Sequence, residues 1–374
     1  MEEKILAIEK LIKDNPTNWK QILIDLKINI VENENYYLFK YSLINNPDFT
    51  NEAVRQCRGI IFDKNTLKPV CIPFFKFGNY LENYVPDMDW KSVRIEEKID
   101  GSLIKVWYHN GWHISTNGSI DAFSTDLMVN NLLIKDCPYK NFGDLFESVI
   151  NLKNYNLNKN YTYMFELVSP YNQVVIKYDK TEVYHIGTRN NLTYQEIIED
   201  IGVKKPNIYE IAKDLKTITE QANMFKCEKE GFVVVDKYWN RVKIKSEDYV
   251  KSHYIKNNGN ISKNRLIKLI LENETEEFLN YCPEFKQPIE DISSSLNKIF
   301  KKMEFEKTRM LNKGLSRKDL ALILSVNNTD PFIIPFIFEN IKQSISAKEY
   351  ISKKPIQYVV NLLEKFGRDY DNNK

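Results

Sequence analysis

Apolar positions alternate in short runs over the first two thirds of the chain and return at helical spacing over the last third. Residues 93–97, 103–109, 112–116, 162–168, 173–178, 182–188, 231–236 and 241–245 carry the two-residue pattern of strands. Asn110-Gly111, between two of these runs, predicts a hairpin turn. Helices are expected near 123–134, 142–152 and 208–215. After a loop at 257–260 the pattern turns helical, and the caps are legible. Ser316 with Asp319, and Ser346 with Glu349, read as capping boxes. Asp330-Pro331 reads as an N-cap followed by proline, Pro355 opens a further helix, and Gly367 is expected to close it. These patterns predict an α+β fold, with an antiparallel-sheet domain over 1–254 and an all-α domain over 255–374.

Composition narrows the classes. The 374 residues are 43% hydrophobic and 28% charged, which excludes an intrinsically disordered chain. The formal net charge is only +2, so the whole molecule is no basic nucleic-acid coat. Charge is divided, however: residues 1–254 carry a net −2 and residues 255–374 a net +4. The excess lies between 298 and 318, where Lys298, Lys302, Arg309 and Lys313 share one helical face. A solvated face and a phosphate-contacting face are equally open readings of that stripe. Five cysteines with no C-x-x-C pair, and four histidines, offer no zinc pattern and no disulfide framework. A reducing, cytoplasmic setting is expected, and nothing in the sequence predicts a membrane span.

The sharpest chemical feature is Glu97-Lys98-Ile99-Asp100-Gly101-Ser102, directly after an expected strand. Glu166 lies in a second strand and Glu230 at the start of a third. Lys243 and Lys245 fall on one face of a fourth, because strand side chains alternate. A lysine amine is ordinarily protonated, with a reference pKa of about 10.4. It becomes a nucleophile where burial and neighbouring cations disfavour the ammonium form. The order Lys, Glu, Glu, Lys-x-Lys on apolar strands therefore suits covalent attack on a phosphorus atom.

That constellation resembles the covalent nucleotidyltransferases, the polynucleotide ligases and mRNA capping enzymes. Further motifs narrow the likeness. Tyr36-Tyr37-Leu38-Phe39-Lys40-Tyr41, Arg58-Gly59-Ile60-Ile61-Phe62-Asp63 and Phe75-Lys76-Phe77-Gly78-Asn79 resemble the N-terminal segment of the phage tRNA-repair RNA ligases of the RNA ligase 1 type. Phe165 to Asn172, Glu230-Gly231-Phe232 and Lys243 to Val250 continue it, so that it covers most of 36–254. The resemblance implies an adenylyltransferase domain over 1–254, followed by a helical RNA-recognition domain. It implies ATP-dependent joining of RNA 5′-phosphate and 3′-hydroxyl ends through a lysyl-AMP intermediate. Nicked tRNA would be the substrate, magnesium or manganese the metal, and an RNA end-healing kinase/phosphatase the functional partner. By the same resemblance Lys98 is the nucleophile, Glu166 the ribose contact, and Glu230 a catalytic carboxylate that orients metal-bound water. Lys243 and Lys245 contact the α-phosphate, and Tyr41, Arg58 and Lys76 the outgoing phosphates. Tyr249 takes a catalytic part in ligation and Arg189 lies on the nucleotide pocket. Glu276, with Glu277, corresponds to an acidic metal-binding pair. Two departures stand out. Asn117 occupies the place of a basic residue before Gly118-Ser119, and Asn172-Gln173 replaces an Asn-Arg pair. Two other readings stay open at this stage. One is a DNA ligase or capping-type enzyme, whose strand-rich domain after Lys-x-Lys the helical pattern here does not match. The other is an RNA-binding module without catalysis.

Overall fold

A computed structural model describes residues 5–371, apart from 43, 46, 81, 83, 84, 130, 131, 134–136, 255–261, 312–316, 327–329 and 343. It divides into two compact units: 1–42 with 47–253, and 43–46 with 254–374.

The first unit holds antiparallel sheets. Helices α1 (Ala7–Asp14), α2 (Trp19–Asp25) and α3 (Glu52–Gln56) accompany a four-stranded sheet β1-β2-β3-β4, of Ile28–Glu32, Tyr36–Tyr41, Arg58–Asp63 and Pro69–Cys71. Then follow β5 (Arg94–Lys98), β6 (Ser102–Tyr108), β7 (Trp112–Thr116) and a small hairpin of β8 (Met128–Val129) and β9 (Leu132–Leu133). After α4 (Phe142–Glu147) come β10 (Tyr161–Val168), β11 (Glu182–Asn190) and β12 (Glu196–Ile197). The unit is completed by α5 (Leu215–Met224), β13 (Gly231–Val235), β14 (Arg241–Lys245) and α6 (Glu247–Tyr254). A five-stranded sheet runs β12-β11-β10-β6-β7 and a three-stranded sheet β14-β13-β5.

Alternation explains the pairing. Ile95 of β5, Phe232 and Val234 of β13, and Val242 and Ile244 of β14 all turn into one buried cluster. A second cluster takes Ile104 and Val106 of β6, Tyr163, Phe165 and Leu167 of β10, and Phe146 of α4. The β6–β7 turn uses Asn110 and Gly111 at φ 56° and 155°, backbone values that Asn and Gly tolerate best.

Several sequence expectations give way. Residues 173–178 form bends and irregular backbone rather than a strand, because the amides of Val175 and Ile176 are donated to Asp100 Oδ2 at 2.9 and 2.7 Å. The helix expected over 123–134 is replaced by a 3-10 turn, Ala122–Ser124, and the β8–β9 hairpin; Ile134 lies outside the described residues. The helix expected over 142–152 stops at Glu147. That expected at 208–215 begins only at Leu215, where Asp214 accepts from the Thr217 amide at 2.9 Å; Ile208 instead bridges Glu96.

The second unit is helical: α7 (Lys263–Glu272), α8 (Thr275–Tyr281), α9 (Lys286–Leu311), α10 (Arg317–Val326), α11 (Ile334–Lys342), α12 (Ala347–Ser352) and α13 (Ile356–Asp371). Leu296, Ile299, Met303 and Met310 of α9 recur at helical spacing and pack with Phe336, Ile337, Val359 and Leu363. Ser346 caps α12 by accepting from the Glu349 amide. Asp330 accepts from the Phe332 amide one turn ahead of α11. Helix α13 runs through Gly367, which therefore does not terminate it. Residues 257–260, Lys313 and Ser316 lie outside the described residues. On the α9 stripe Arg309 is paired with Glu306 at 2.6 Å, while Lys302 keeps its charge over the Phe366 ring, 4.5 Å from the centroid. No helix among the described residues is long and apolar enough to cross a membrane.

Candidate active site

Strand register builds the centre of the site. Gly231, the first residue of β13, pairs with Lys98 on one side and Lys245 on the other. Its predecessor Glu230 is thereby inserted between two lysines. Lys98 Nζ donates to Glu230 Oε2 at 2.7 Å, and Lys245 Nζ lies 3.7 Å from Oε1. Glycine at 231 is a steric requirement. At φ 141° a Cβ would come within 2.2 Å of the Ile244 carbonyl oxygen.

Lys98 closes β5 and Ser102 opens β6, so Lys98 and Asp100 flank a tight connection at the mouth of a cavity of about 370 Å³. Arg58, Phe77, Lys98, Asn117, Glu166 and Lys243 line that cavity. Asp100 fixes the connection, for besides the two amides it accepts from the Tyr249 hydroxyl at 2.8 Å. Glu166, on β10 opposite Leu103, is partly buried. Burial pushes its carboxyl up to about 7; Lys98 opposes that rise, and the charge of Glu230 adds to it. Lys243 lies well below the usual lysine range, first because of burial and then because Lys76, Lys245, Lys98 and Arg58 repel its charge. Its ammonium also sits 5.0 Å from the Phe77 ring centroid.

The expected residues divide accordingly. Lys98, Glu230, Lys245, Glu166, Lys243 and Arg58 are brought together by the cavity walls and their ion pairs. Lys76 lines a neighbouring pocket that shares Phe77 and Arg241 with the first, and lies 3.8 Å from Glu82. Tyr41 is instead a core residue, its ring 5.0 Å from that of Phe49. Tyr249 is buried, and its hydroxyl reaches the Lys98 connection through Asp100. Arg189 pairs with Glu196 at 2.7 Å and stacks 4.2 Å above Phe75, away from the main cavity walls. Glu276 lies in the first turn of α8, in the helical unit. Among the described residues no group of three His, Cys, Asp or Glu side chains is poised around a metal. The cavity still suits a divalent cation carried in on phosphate oxygens, because magnesium keeps most of its waters and needs only one or two protein carboxylates. Glu230 is the candidate here.

Sequence reasoning passed over Lys105 and Lys40, whose ammonium groups lie behind Arg58 and Asn117. The signal was a lysine inside the apolar run Leu103-Ile104-Lys105-Val106-Trp107. It also passed over the Arg241–Glu196 pair, at 2.5 Å, that joins β14 to β12.

A family model described as RNA ligase matches residues 56–249, just over half of the chain. A protein of Autographa californica nuclear polyhedrosis virus described as "Putative bifunctional polynucleotide kinase/RNA ligase" is 30% identical over 289 residues, covering 71% of this chain and 41% of that protein. The RNA ligase of Rhodothermus phage RM378 is 26% identical over 364 residues, covering 77% of this chain and 82% of that one. This chain thus spans less than half the length of the first relative and most of the second. A solved archaeal ATP-dependent RNA ligase is similar with a TM-score of 0.47 at 11% identity, over 79% of this chain and 83% of that one.

Proposed function

The chain belongs to the RNA ligase family, and from that premise we propose that it seals RNA by ATP-dependent chemistry at Lys98. The observation that carries the reading is the Lys98–Glu230–Lys245 cluster at the mouth of a cavity walled by Lys243, Arg58 and Glu166.

In the first step the Lys98 amine gives its proton to Glu230, the acceptor already 2.7 Å away, and its lone pair attacks the α-phosphorus of ATP. A nitrogen–phosphorus bond forms, the α–β bridging P–O bond breaks, and pyrophosphate leaves with that electron pair. Lys243 and Lys245 oppose the charge that accumulates on the α-phosphoryl oxygens. Arg58 and Lys76 face the departing phosphates. Glu166 holds the ribose. A bound magnesium or manganese ion would neutralise phosphate charge, with Glu230 among its contacts. Next, an RNA 5′-phosphate oxygen bonds to the AMP phosphorus as the nitrogen–phosphorus bond breaks, and the departing Lys98 amine takes back the proton held by Glu230. The 3′-hydroxyl oxygen of the other end then attacks that 5′-phosphorus, giving its proton to solvent; the phosphoanhydride P–O bond breaks, AMP leaves with that electron pair, and the phosphodiester is formed. Neither later step needs a new protein nucleophile. Tyr249 acts through Asp100, holding the Lys98 loop, so we assign it a positioning role.

The substrate we favour is a nicked tRNA, and the partner an RNA end-healing kinase/phosphatase. The kinase/ligase description of the viral relative supports such pairing. The five free cysteines suit a reducing, cytoplasmic setting. Incubation with α-labelled ATP followed by denaturing electrophoresis tests the chemistry. A label retained by the denatured chain and discharged onto 5′-phosphorylated RNA is expected. A wild-type chain that takes no label overturns the reading.

A further inference from the structure

Three cations, Lys40, Arg58 and Lys105, cluster at one wall of the cavity, where the charge of Glu166 reaches Arg58. Lys105 is completely buried, and its ammonium donates to the Gly59 carbonyl oxygen. Lys40 pairs in register with Arg58, across a bulge between β2 and β3. A Cβ on Gly59 would lie 3.1 Å from Lys105 Nζ and 2.9 Å from Asn117 Oδ1, and one on Gly118 would lie 3.4 Å from Lys40 Nζ. Lys40, Arg58, Lys105 and Asn117 therefore converge on one small space. Gly59 itself adopts φ 82°, so the bulge that assembles them has a backbone only glycine takes easily.

The cluster is electrostatically unfinished. No ion pair joins Lys40, Arg58 or Lys105 to a carboxylate among the described residues. Arg58 Nη1 and Asn117 Oδ1 are both buried without a hydrogen-bond partner. The acidic neighbour that bears on Lys105 is the Cys71 thiol, which burial pushes up to about 11 and so keeps neutral. Lys105 in turn is lowered to about 8 by burial, with Arg58 and Lys40 adding to the effect. Lys40 is lowered by burial and by Arg58. Unpaired buried charge is costly, and a fold that keeps Lys105 fully buried beside the half-buried Lys40 and Arg58 favours an anion at this wall of the cavity. Arg58 and Asn117 line the cavity, and the two lysines stand behind them.

We propose that Lys40 and Lys105 complete, with Arg58 and Asn117, a phosphate-binding subsite at this end of the cavity. Rotation of the Asn117 amide presents Nδ2 to the same space. A phosphate group would accept from Arg58 Nη1 and Nδ2, while the two ammonium groups balance its charge. The subsite deepens the ligase reading and rests on it for the identity of the ligand. That ligand is a terminal phosphate of ATP or the 5′-phosphate of an RNA end.

The test uses the full chain with Lys40→Gln, and with Lys105→Met where melting shows that this variant folds. Binding of inorganic pyrophosphate and of a short 5′-phosphorylated RNA is measured by calorimetry. The KM for ATP in AMP labelling, and the rate of AMP transfer from preformed enzyme–AMP to RNA, are measured beside it. Loss of one charge-assisted contact should weaken binding about tenfold. Weaker pyrophosphate binding with a raised KM assigns the subsite to ATP. Weaker RNA binding with slowed transfer assigns it to the RNA end. Either result supports the proposal. Affinities and rates equal to wild type in both arms overturn it, as does a wild-type chain that binds neither probe. A wild-type chain that takes no AMP label, yet binds pyrophosphate in a Lys40-dependent way, would remove the ligase reading and leave the subsite standing.

Discussion

The sheet-bearing unit contains the same charge arrangement twice, a carboxylate between two cations, and the two copies differ in residue type and solvent access. At the cavity mouth Glu230 lies between Lys98 and Lys245; under β11, β12 and β14 Glu196 lies between Arg189 and Arg241. The lysine side chains are 20% and 16% exposed, with contacts of 2.7 and 3.7 Å. The arginines are 5% and 7% exposed; Arg241 grips both Glu196 oxygens, at 2.8 and 2.5 Å. A lysine can give up its proton when its surroundings repel charge, whereas guanidinium remains charged and forks onto a carboxylate. The first cluster is therefore looser, more open to solvent and built from amines rather than guanidiniums. The second is a clamp joining three strands. Residue type and solvent access, more than charge pattern, separate chemistry from scaffolding here.

The hardest blow to the comparison is to give the first cluster the chemistry of the second. Lys98→Arg should abolish AMP labelling as completely as Lys98→Ala, because a guanidinium has no lone pair to offer at neutral pH. Both variants should remain folded, since Lys245 still faces Glu230. Labelled ATP and a melting curve read the two outcomes. Full labelling of either variant would remove Lys98 from the mechanism.

The converse change is Glu196→Gln. It strands two buried guanidiniums and should cost about 3–5 kcal/mol of stability, the usual loss when one member of a buried pair is removed. Urea unfolding measures this. Labelling per folded molecule should persist at low temperature. A variant of normal stability that labels poorly would move Glu196 and its arginines into the active site.

Tyr249→Phe tests the link between scaffold and chemistry. It deletes one of three hydrogen bonds to the buried Asp100 carboxylate and leaves the stacked ring beside His253. A loss of about 2 kcal/mol is expected, typical of a hydrogen bond to a charged group. If Tyr249 positions the Lys98 loop, labelling should slow in kcat with little change in the KM for ATP. A change confined to KM would mean direct contact with the nucleotide.

Much of this site was legible because strand alternation and register are local rules. Lys243-Ile244-Lys245 and Glu230-Gly231 announce which side chains share a face, and pairing through Gly231 does the rest. The partner of Arg189 was not legible, because Glu196 is brought to it by the β11–β12 hairpin and shared with Arg241 from a distant strand. Val174-Val175-Ile176 reads as strand by its apolar run, yet Asp100 takes two of its amides, a tertiary bond that no local pattern encodes. Asp214 was a readable N-cap, and giving it weight would have moved the helix from 208–215 to its true start.

The smallest expected effect comes from Glu166→Gln, and it turns on pH. In the folded chain burial lifts the Glu166 carboxyl to about 7, from an ordinary value of 4.5. Between those limits the native state holds a proton that the unfolded chain has released. Its contribution to stability therefore falls as pH rises through the window, and the whole penalty is present above about 7. Glutamine mimics the protonated acid and carries no such penalty. The variant should match wild type near pH 4 and melt higher at pH 8, by on the order of 1 kcal/mol once residual solvent access is allowed for. Taking the difference between the two proteins at each pH cancels the other titrating groups. Added ATP should reverse the order if Glu166 binds the ribose, because the wild-type carboxylate then gains hydroxyl donors that stabilise its charge. A melting difference that is the same at pH 4 and pH 8 would place the Glu166 charge in water. The cavity wall would then be more open than the burial of Glu166 implies.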